Sequence, residues 1–227
     1  GFMMPFKFTS DMSVEDAEKL AENLGIKHSI IPIGEIYDSF QNSLECEFKG
    51  LEPDITEENL QSRCRGVILM ALSNKSGEIV LTTGNKSETA VGYSTLYGDT
   101  AGGFGVLKDV PKTLVYELAR YRNTISKVIP ERIIDRPPSA ELAPDQQDSD
   151  SLPDYDTLDK IIELYVEQDK SKKEIEASGI ESSILNRVIR LIDFSEYKRR
   201  QAPLGVKITS RGFGKDRRYP ITNKFLK

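Results

Sequence analysis

TTGNKSETAVGYSTLYGD, residues 82–99, follows the strand-like stretch EIVLT of residues 78–82 and opens its next segment with a threonine, a glycine, an asparagine, a lysine and a glutamate. At the carboxyl end of a parallel strand the N–H groups of an incoming helix point outward, so an anion arriving there meets donors and a favourable dipole. Such a turn suits a nucleotide. In it Thr83 offers a hydroxyl and Glu88 a carboxylate, which can hold a magnesium ion or a polar group of a nucleotide. The plain alternatives are a strand-end threonine and a first-turn glutamate favoured by the helix dipole.

Upstream, MMPF (3–6) reads as a short buried strand, and Ser13, Glu15 and Asp16 open a helix with Ala17, Leu20, Ala21 and Leu24 on one side, closed by Gly25. HSIIPI (28–33) is the next strand, residues 34–48 another amphipathic stretch, and Thr56 caps a long helix over 57–77. EIVLTT (78–83) then reads as a buried strand. Strands alternating with helices at this spacing predict an α/β fold, a doubly wound parallel sheet with helices on both faces.

Downstream, the glycine-rich segment 98–110 cannot hold a helix, whereas PKTLVYELARYRN (111–123) starts one with a proline and sets Leu114, Leu118 and Tyr121 on one stripe. Residues 131–154 form an acidic, proline-rich loop, too long for a passive connection and read as a lid or a disordered linker. Three helices follow at 155–168, 171–179 and 181–194, giving a C-terminal helical subdomain. The expected division is an α/β domain over 1–130, the loop, and helices with a basic tail over 155–227.

Composition sets outer bounds. A chain of 227 residues, 38% hydrophobic and 30% charged, is ordinary for a soluble globular protein, and no stretch approaches the roughly 20 apolar residues of a membrane span. The expected setting is cytoplasmic, with Cys46 and Cys64 as reduced, buried thiols, since two cysteines make neither a disulfide framework nor a metal site. His28, on an apolar strand, reads as structural. The net charge of −5 hides a division: acidic residues crowd Asp135 to Asp169, while the tail from Lys198 to Lys227 is basic. Such asymmetry can mark a phosphate-facing or nucleic-acid-facing end, but a solvated face or an arm docked on an acidic loop is the commoner reason for it.

On the long helix Asn59 and Arg63, four apart, share a face, with Arg65 turned away. That helix and the strand-end loop can wall one crevice. Lys112 stands in the first turn of its helix, where a cation is misplaced, so a phosphate partner would account for it.

The whole set of words MMPFKFTSDMSVEDAEKLAENLGI (3–26), ENLQSRCRGVILMALSNKSGEIVLTTGNKSE (58–88), the segment 90–123, RPPSAELAPDQQDSDSLPDYDTLD (136–159) and EYKRRQAPLGVKIT (196–209) resembles the synthetase domain of glutamine-dependent NAD synthetases. The resemblance implies a sheet of the adenine-nucleotide alpha-hydrolase type. By the same resemblance Thr83, Lys112 and Ser139 fall on positions that contact ATP. Asn59, Arg63, Glu88 and Lys198 fall on positions associated with deamido-NAD, Tyr197 stands where a related branch has a histidine, and Glu88 is also a magnesium position.

The implied reaction is adenylation of deamido-NAD by ATP, with release of pyrophosphate, then attack of ammonia to give NAD and AMP. Bringing two polyanions together calls for magnesium and fixed cations, for which Lys86, Lys112 and Lys198 are candidates. The resemblance also implies a homodimer or larger assembly, and a partner amidase domain that frees ammonia from glutamine. The SGGxDS loop that holds pyrophosphate in such enzymes is not among these residues. The expectation is therefore a C-terminal part of the synthetase, its first strand missing and inactive alone.

Three other readings compete, one of them a non-catalytic piece that completes its site by pairing with another polypeptide. Residues 171–192 resemble a helix-turn-helix followed by a basic tail, but Ile184, Leu185, Val188, Ile189 and Leu191 leave few side chains to read base edges. Another ATP pyrophosphatase amidating a different carboxylate is the nearer alternative.

Overall fold

The computed structural model describes residues 1–222, so the last five residues of the expected basic tail lie outside the described residues. Every strand pairing is parallel. β1 (Phe2–Met3) pairs with β2 (Ser29–Ile30) across α1 (Asp11–Leu24). α2 (Gly34–Leu44) and the long α3 (Ile55–Ser76) lead to β3 (Leu81–Thr82), α4 (Lys86–Val91) and β4 (Phe104–Gly105). α5 (Lys112–Ile125) and α6 (Glu131–Asp135) precede the loop, and α7 (Tyr155–Ile162) runs into a π-helical turn at Glu163–Glu167. α8 (Lys172–Glu176), α9 (Ser182–Phe194) and α10 (Glu196–Arg199) carry the chain to β5 (Leu204–Gly205). Among the described residues the strands form two parallel sheets, β1-β2 and β3-β4-β5.

The helix ends follow side-chain chemistry, with some corrections to the sequence reading. Ser10, not Ser13, caps α1, and Gly25 ends it with φ of 64°. Asp54 rather than Thr56 caps α3: its carboxylate accepts from the Thr56 N–H at 2.7 Å, while Glu57 closes a reciprocal box on the Asp54 N–H.

The main core joins α4 to the C-terminal helices. Leu158, Ile161, Val166, Leu185, Val188 and Ile192 are wholly enclosed, with Ala90 and Val91 of α4 packed among them. Each such large aliphatic residue contributes about 1.5–3 kcal/mol. The spacing of Leu185, Val188, Ile189 and Ile192 turns one face of α9 inward, so the residues of the helix-turn-helix reading are core. A smaller core unites Ile33, Tyr37 and Cys64 with Met4 and Phe6.

Other apolar residues are less covered than the sequence suggested. Ile79 and Leu81 are 63% and 56% exposed, because β3 lies at the edge of its sheet, so the stretch 78–83 is not a buried strand. Phe2 of β1 is exposed, as are Leu118 and Tyr121 on the expected stripe of α5. Cys46 is exposed, unlike Cys64, and His28 lies at the surface.

The proline-rich loop is neither disordered nor detached. Gln61 Nε2 donates to the Leu142 carbonyl at 2.9 Å, Gln146 Nε2 to Glu58 at 3.0 Å, and Tyr155 OH to the buried Asp148 at 2.6 Å. Glu141, at φ of 51°, accepts on one oxygen from Ser10 and Ser13 at 2.9 and 2.8 Å and pairs with Arg136. The described part of the basic tail docks on acidic groups: Arg211 and Arg217 reach Asp169, and Ser210 donates to Glu167. No described helix is long and apolar enough to cross a membrane.

Candidate functional site

The turn between β3 and α4 is built from its own side chains. Asn85 caps α4, accepting from the Glu88 N–H at 3.0 Å, while Glu88 Oε2 accepts from the Asn85 N–H at 3.2 Å. The Lys86 N–H goes to the Val110 carbonyl at 2.9 Å. Several donors expected to face an anion are therefore spent within the fold. Lys86 is no free cation either: it is wholly enclosed, and its ammonium contacts Glu167 at 2.7 Å, Asp109 at 3.2 Å, the Thr209 hydroxyl and the Arg211 carbonyl. Its role is to bind α4 to the returning tail.

What the turn does create is a pair of adjoining spaces. An outer cleft of about 570 Å³ has Glu88, Tyr93, Asp99, Lys112, Arg136 and Ser139 among its walls. An inner chamber of about 40 Å³ is bounded by Thr82, Gly84, Lys108, Lys198 and Arg199, and again by Glu88, Tyr93 and Asp99. These last three residues form the partition between the two.

Charge is distributed unequally across it. On the outer side Lys112 Nζ lies 3.4 Å from Glu88 and 5.3 Å from the centre of the Tyr155 ring, so its place in the first turn of α5 has a carboxylate and an aromatic face to balance it without any phosphate. On the inner side Lys198 Nζ donates to the carbonyls of Gly92 and Ser94 at 2.7 and 2.6 Å. Burial lowers the Lys198 pKa against the attraction of Asp99, with the charge of Arg63 adding to the fall. Asp99 accepts from the Thr95 N–H at 2.7 Å; burial above all, then the nearby Glu88, pushes its carboxyl up to about 6. Burial likewise raises the Tyr93 phenol, aided by the charge and hydrogen bonding of Asp148.

The residues singled out from the sequence fall into three groups. Glu88, Lys112, Ser139 and Lys198 line the two spaces. Asn59 and Arg63 stand behind them on one face of α3: Asn59 accepts from the Thr95 hydroxyl at 2.7 Å, and Arg63 Nε donates to the Leu96 carbonyl at 3.2 Å, so both hold the loop that carries Asp99. Arg65 points elsewhere, to the Met4 carbonyl. Thr83 is exposed between two residues that line the inner chamber without lining it itself, and Tyr197, 43% exposed, lines neither space. The expectation that Thr83, Glu88 and Asn59 would share one cleft is not met: of the three, Glu88 lines both spaces and the other two line neither.

Sequence reasoning passed over Tyr93, Asp99 and Lys108. Asp99 sits in the word GYSTLYGD, and Lys108 in the glycine-rich stretch, where no periodicity marks which polar residue turns inward. For a metal, the described residues contain no group of three or more His, Cys, Asp and Glu side chains arranged as ligands. Glu88 beside Asp99 still fits magnesium of the kind held by one or two carboxylates and completed by water and phosphates.

Comparison with known proteins bears on the same segments. The family profile described as NAD synthase matches residues 1–202. The glutamine-dependent NAD(+) synthetase of Acinetobacter baylyi is 57% identical over 223 residues, covering 97% of the chain and 41% of that protein. The enzyme of the same description from Aquifex aeolicus is 54% identical over 227 residues, covering 100% of the chain and 40% of its own length. Among solved structures, the glutamine-dependent NAD+ synthetase of Acinetobacter baumannii in complex with adenosine diphosphate superposes with a TM-score of 0.60 at 51% identity, over 98% of the chain and 40% of that structure's. The chain thus spans about 40% of the length of the relatives it matches. With a parallel α/β framework, the partitioned cleft beyond β3 and a profile match over nearly all its length, this chain belongs to the NAD synthase family.

Proposed function

We propose that this chain is the nucleotide-handling part of a glutamine-dependent NAD synthetase, which joins ammonia to deamido-NAD at the expense of ATP. The observation that carries the reading is the partition of Glu88, Tyr93 and Asp99, with a roomy cleft on one side and a small lysine-lined chamber on the other. Two nucleotides must meet at one reacting carboxylate, and two spaces sharing one wall supply that arrangement.

In this reading the outer cleft takes ATP, with Lys112 and Ser139 on its walls, and Thr83 at the mouth of the turn. The inner chamber takes one end of deamido-NAD, with Lys198 inside it, Asn59 and Arg63 fixing the loop behind, and Tyr197 on the adjoining surface. A carboxylate oxygen of deamido-NAD attacks the α-phosphorus of ATP, the bond to the β-phosphate breaks, and pyrophosphate leaves. Ammonia then attacks the acyl carbon, AMP departs with the bonding pair, and a proton is lost from nitrogen to give the amide. Magnesium, when bound at Glu88, supplies charge neutralisation for the departing pyrophosphate. The chain's own residues orient the two nucleotides and exclude water from the activated acyl group.

The ammonia comes from a glutamine amidase domain, the enzyme works in the cytoplasm, and its site is completed in a homo-oligomer; glutamine-dependent relatives about 2.5 times as long as this chain support the first of these. The test is formation of NAD from deamido-NAD, ATP and ammonium by the complete gene product containing these residues. Turnover should fall at least a hundredfold in Glu88→Gln. An unchanged rate in that variant, or no ATP-dependent NAD at all, refutes the proposal.

A further inference from the structure

The fold treats its buried lysines in two different ways. Lys86, fully enclosed, faces Asp109 and Glu167, so its charge is neutralised inside the protein. Lys108 and Lys198, both lining the inner chamber, form no ion pair among the described residues. Their ammonium groups donate to main-chain carbonyls: Lys108 to Pro203 at 2.5 Å, and Lys198 to Gly92 and Ser94. A carbonyl dipole offsets only part of the cost of drying an ammonium ion, and burial lowers the pKa of both lysines accordingly. Of the carboxylates that share the chamber, Glu88 is engaged with Lys112 and Asn85, while Asp99 accepts from the Thr95 N–H and also attracts Lys198, leaving Lys108 with neither.

Lys108 has no countercharge in the chamber, and Asp99 attracts Lys198 without forming an ion pair with it, so the two ammonium groups together leave positive charge that an anion would balance. A space of about 40 Å³ holds a few water-sized groups, enough for a carboxylate or one phosphate. The tail fixes this geometry: Pro203, which accepts from Lys108, is itself part of the chamber wall.

The geometry points to Lys108 as a second cation that, with Lys198, seats one anionic group of the dinucleotide in the inner chamber. This rests on the reading proposed above, and adds to it a residue in contact with substrate. The anionic group is either the carboxylate on the pyridine ring or a phosphate of the dinucleotide, and the choice is open to experiment.

Calorimetric titrations of the complete gene product containing these residues, with deamido-NAD, NAD and ATP as separate titrants, test it. The variants are Lys108→Met, Lys108→Gln, which keeps an N–H donor for Pro203 but no charge, and Lys49→Met as an exposed control. Loss of a charge-assisted hydrogen bond should weaken deamido-NAD binding by about tenfold to a hundredfold in both Lys108 variants. ATP binding should stay within twofold. Equal weakening of NAD identifies a phosphate in the chamber; sparing of NAD identifies the carboxylate, which NAD lacks. Deamido-NAD binding within twofold of wild type in Lys108→Gln overturns the proposal. So does parallel weakening of ATP and deamido-NAD in both variants, or failure of both to fold, either of which confines Lys108 to its tie with Pro203. A wild type that binds ATP but neither dinucleotide refutes the functional reading itself.

Discussion

Replacing Lys86 with methionine keeps an unbranched side chain one atom shorter and removes its charge. Two shielded carboxylates then lose their cation, since the side chains of Asp109 and Glu167 are only 7% and 13% exposed. Breaking a buried ion pair from one side costs about 3–5 kcal/mol. Here the lower end applies, because Asp109 keeps the N–H groups of Ile208 and Thr209 at 2.8 and 2.9 Å and Glu167 keeps the Ser210 hydroxyl at 2.8 Å. A loss of ~3 kcal/mol in a chain of this length lowers Tm by roughly 6–12 °C.

Urea unfolding at pH 7 measures that loss. The double variant Lys86→Met/Glu167→Gln should recover ~1–2 kcal/mol of it, since it removes one of the stranded charges. Acid should narrow the gap between variant and wild type. Burial on its own would raise the Asp109 carboxyl, but hydrogen bonds from Thr209 and Ile208 and the charge of Lys86 outweigh it and hold the group below its ordinary range. A depressed acid adds stability above its unfolded pKa of ~4 and forfeits it as pH falls through the lower folded value. The wild type therefore has more to lose below pH ~4 than the variant has. A cost under ~1 kcal/mol at pH 7, or a gap that widens in acid, refutes this account of Lys86.

Asp99→Asn tests the partition. With the folded pKa raised to about 6, the stability linked to Asp99 is complete below the unfolded value and is lost as pH rises through about 6. The asparagine variant should thus gain ~2 kcal/mol on wild type at pH 8. Urea midpoints should also vary less between pH 4 and 7 in the variant, and equal slopes would sink the idea. Gly92→Ala should destabilise by about 2–4 kcal/mol, combining left-handed backbone strain with overpacking. At φ of 69° an added Cβ would lie 2.3 Å from Ser195 Oγ, and the shift would disturb the carbonyl that accepts from Lys198. Thermal unfolding checks the first effect, and a change of less than ~0.5 kcal/mol contradicts it.

Much of the framework was readable because it depends on local periodicity. The apolar Ile184, Leu185, Val188, Ile189 and Leu191 already argued against a base-reading face on α9, and Gly25 announced the end of α1. Asn59 and Arg63 could be placed on one face of α3 from their separation alone, and both reach the same loop. What escaped depends on contacts between distant residues. Lys86 reads in sequence as a surface cation in a nucleotide turn, and only the arrival of Glu167 and Thr209 shows it to be structural. The loop from 136 to 148 has the composition of a linker, yet Gln61, Glu58 and Tyr155 hold it in place across the chain. Lys108 and Asp99 acquire their setting from the tail and from α3, neither of which is a neighbour in sequence.

β5, at residues 204–205, lies beside β4 at residues 104–105, and Lys108 reaches Pro203 just before it. Ring closure over a hundred residues is entropically slow, so this third strand joins late in folding. During synthesis on the ribosome, a nascent polypeptide that has not yet emerged through residue 205 has a helical scaffold but no finished inner chamber. A polypeptide that stops short of that point lacks the Pro203 carbonyl that accepts from Lys108 and one wall of the chamber, so whatever the chamber holds must await β5.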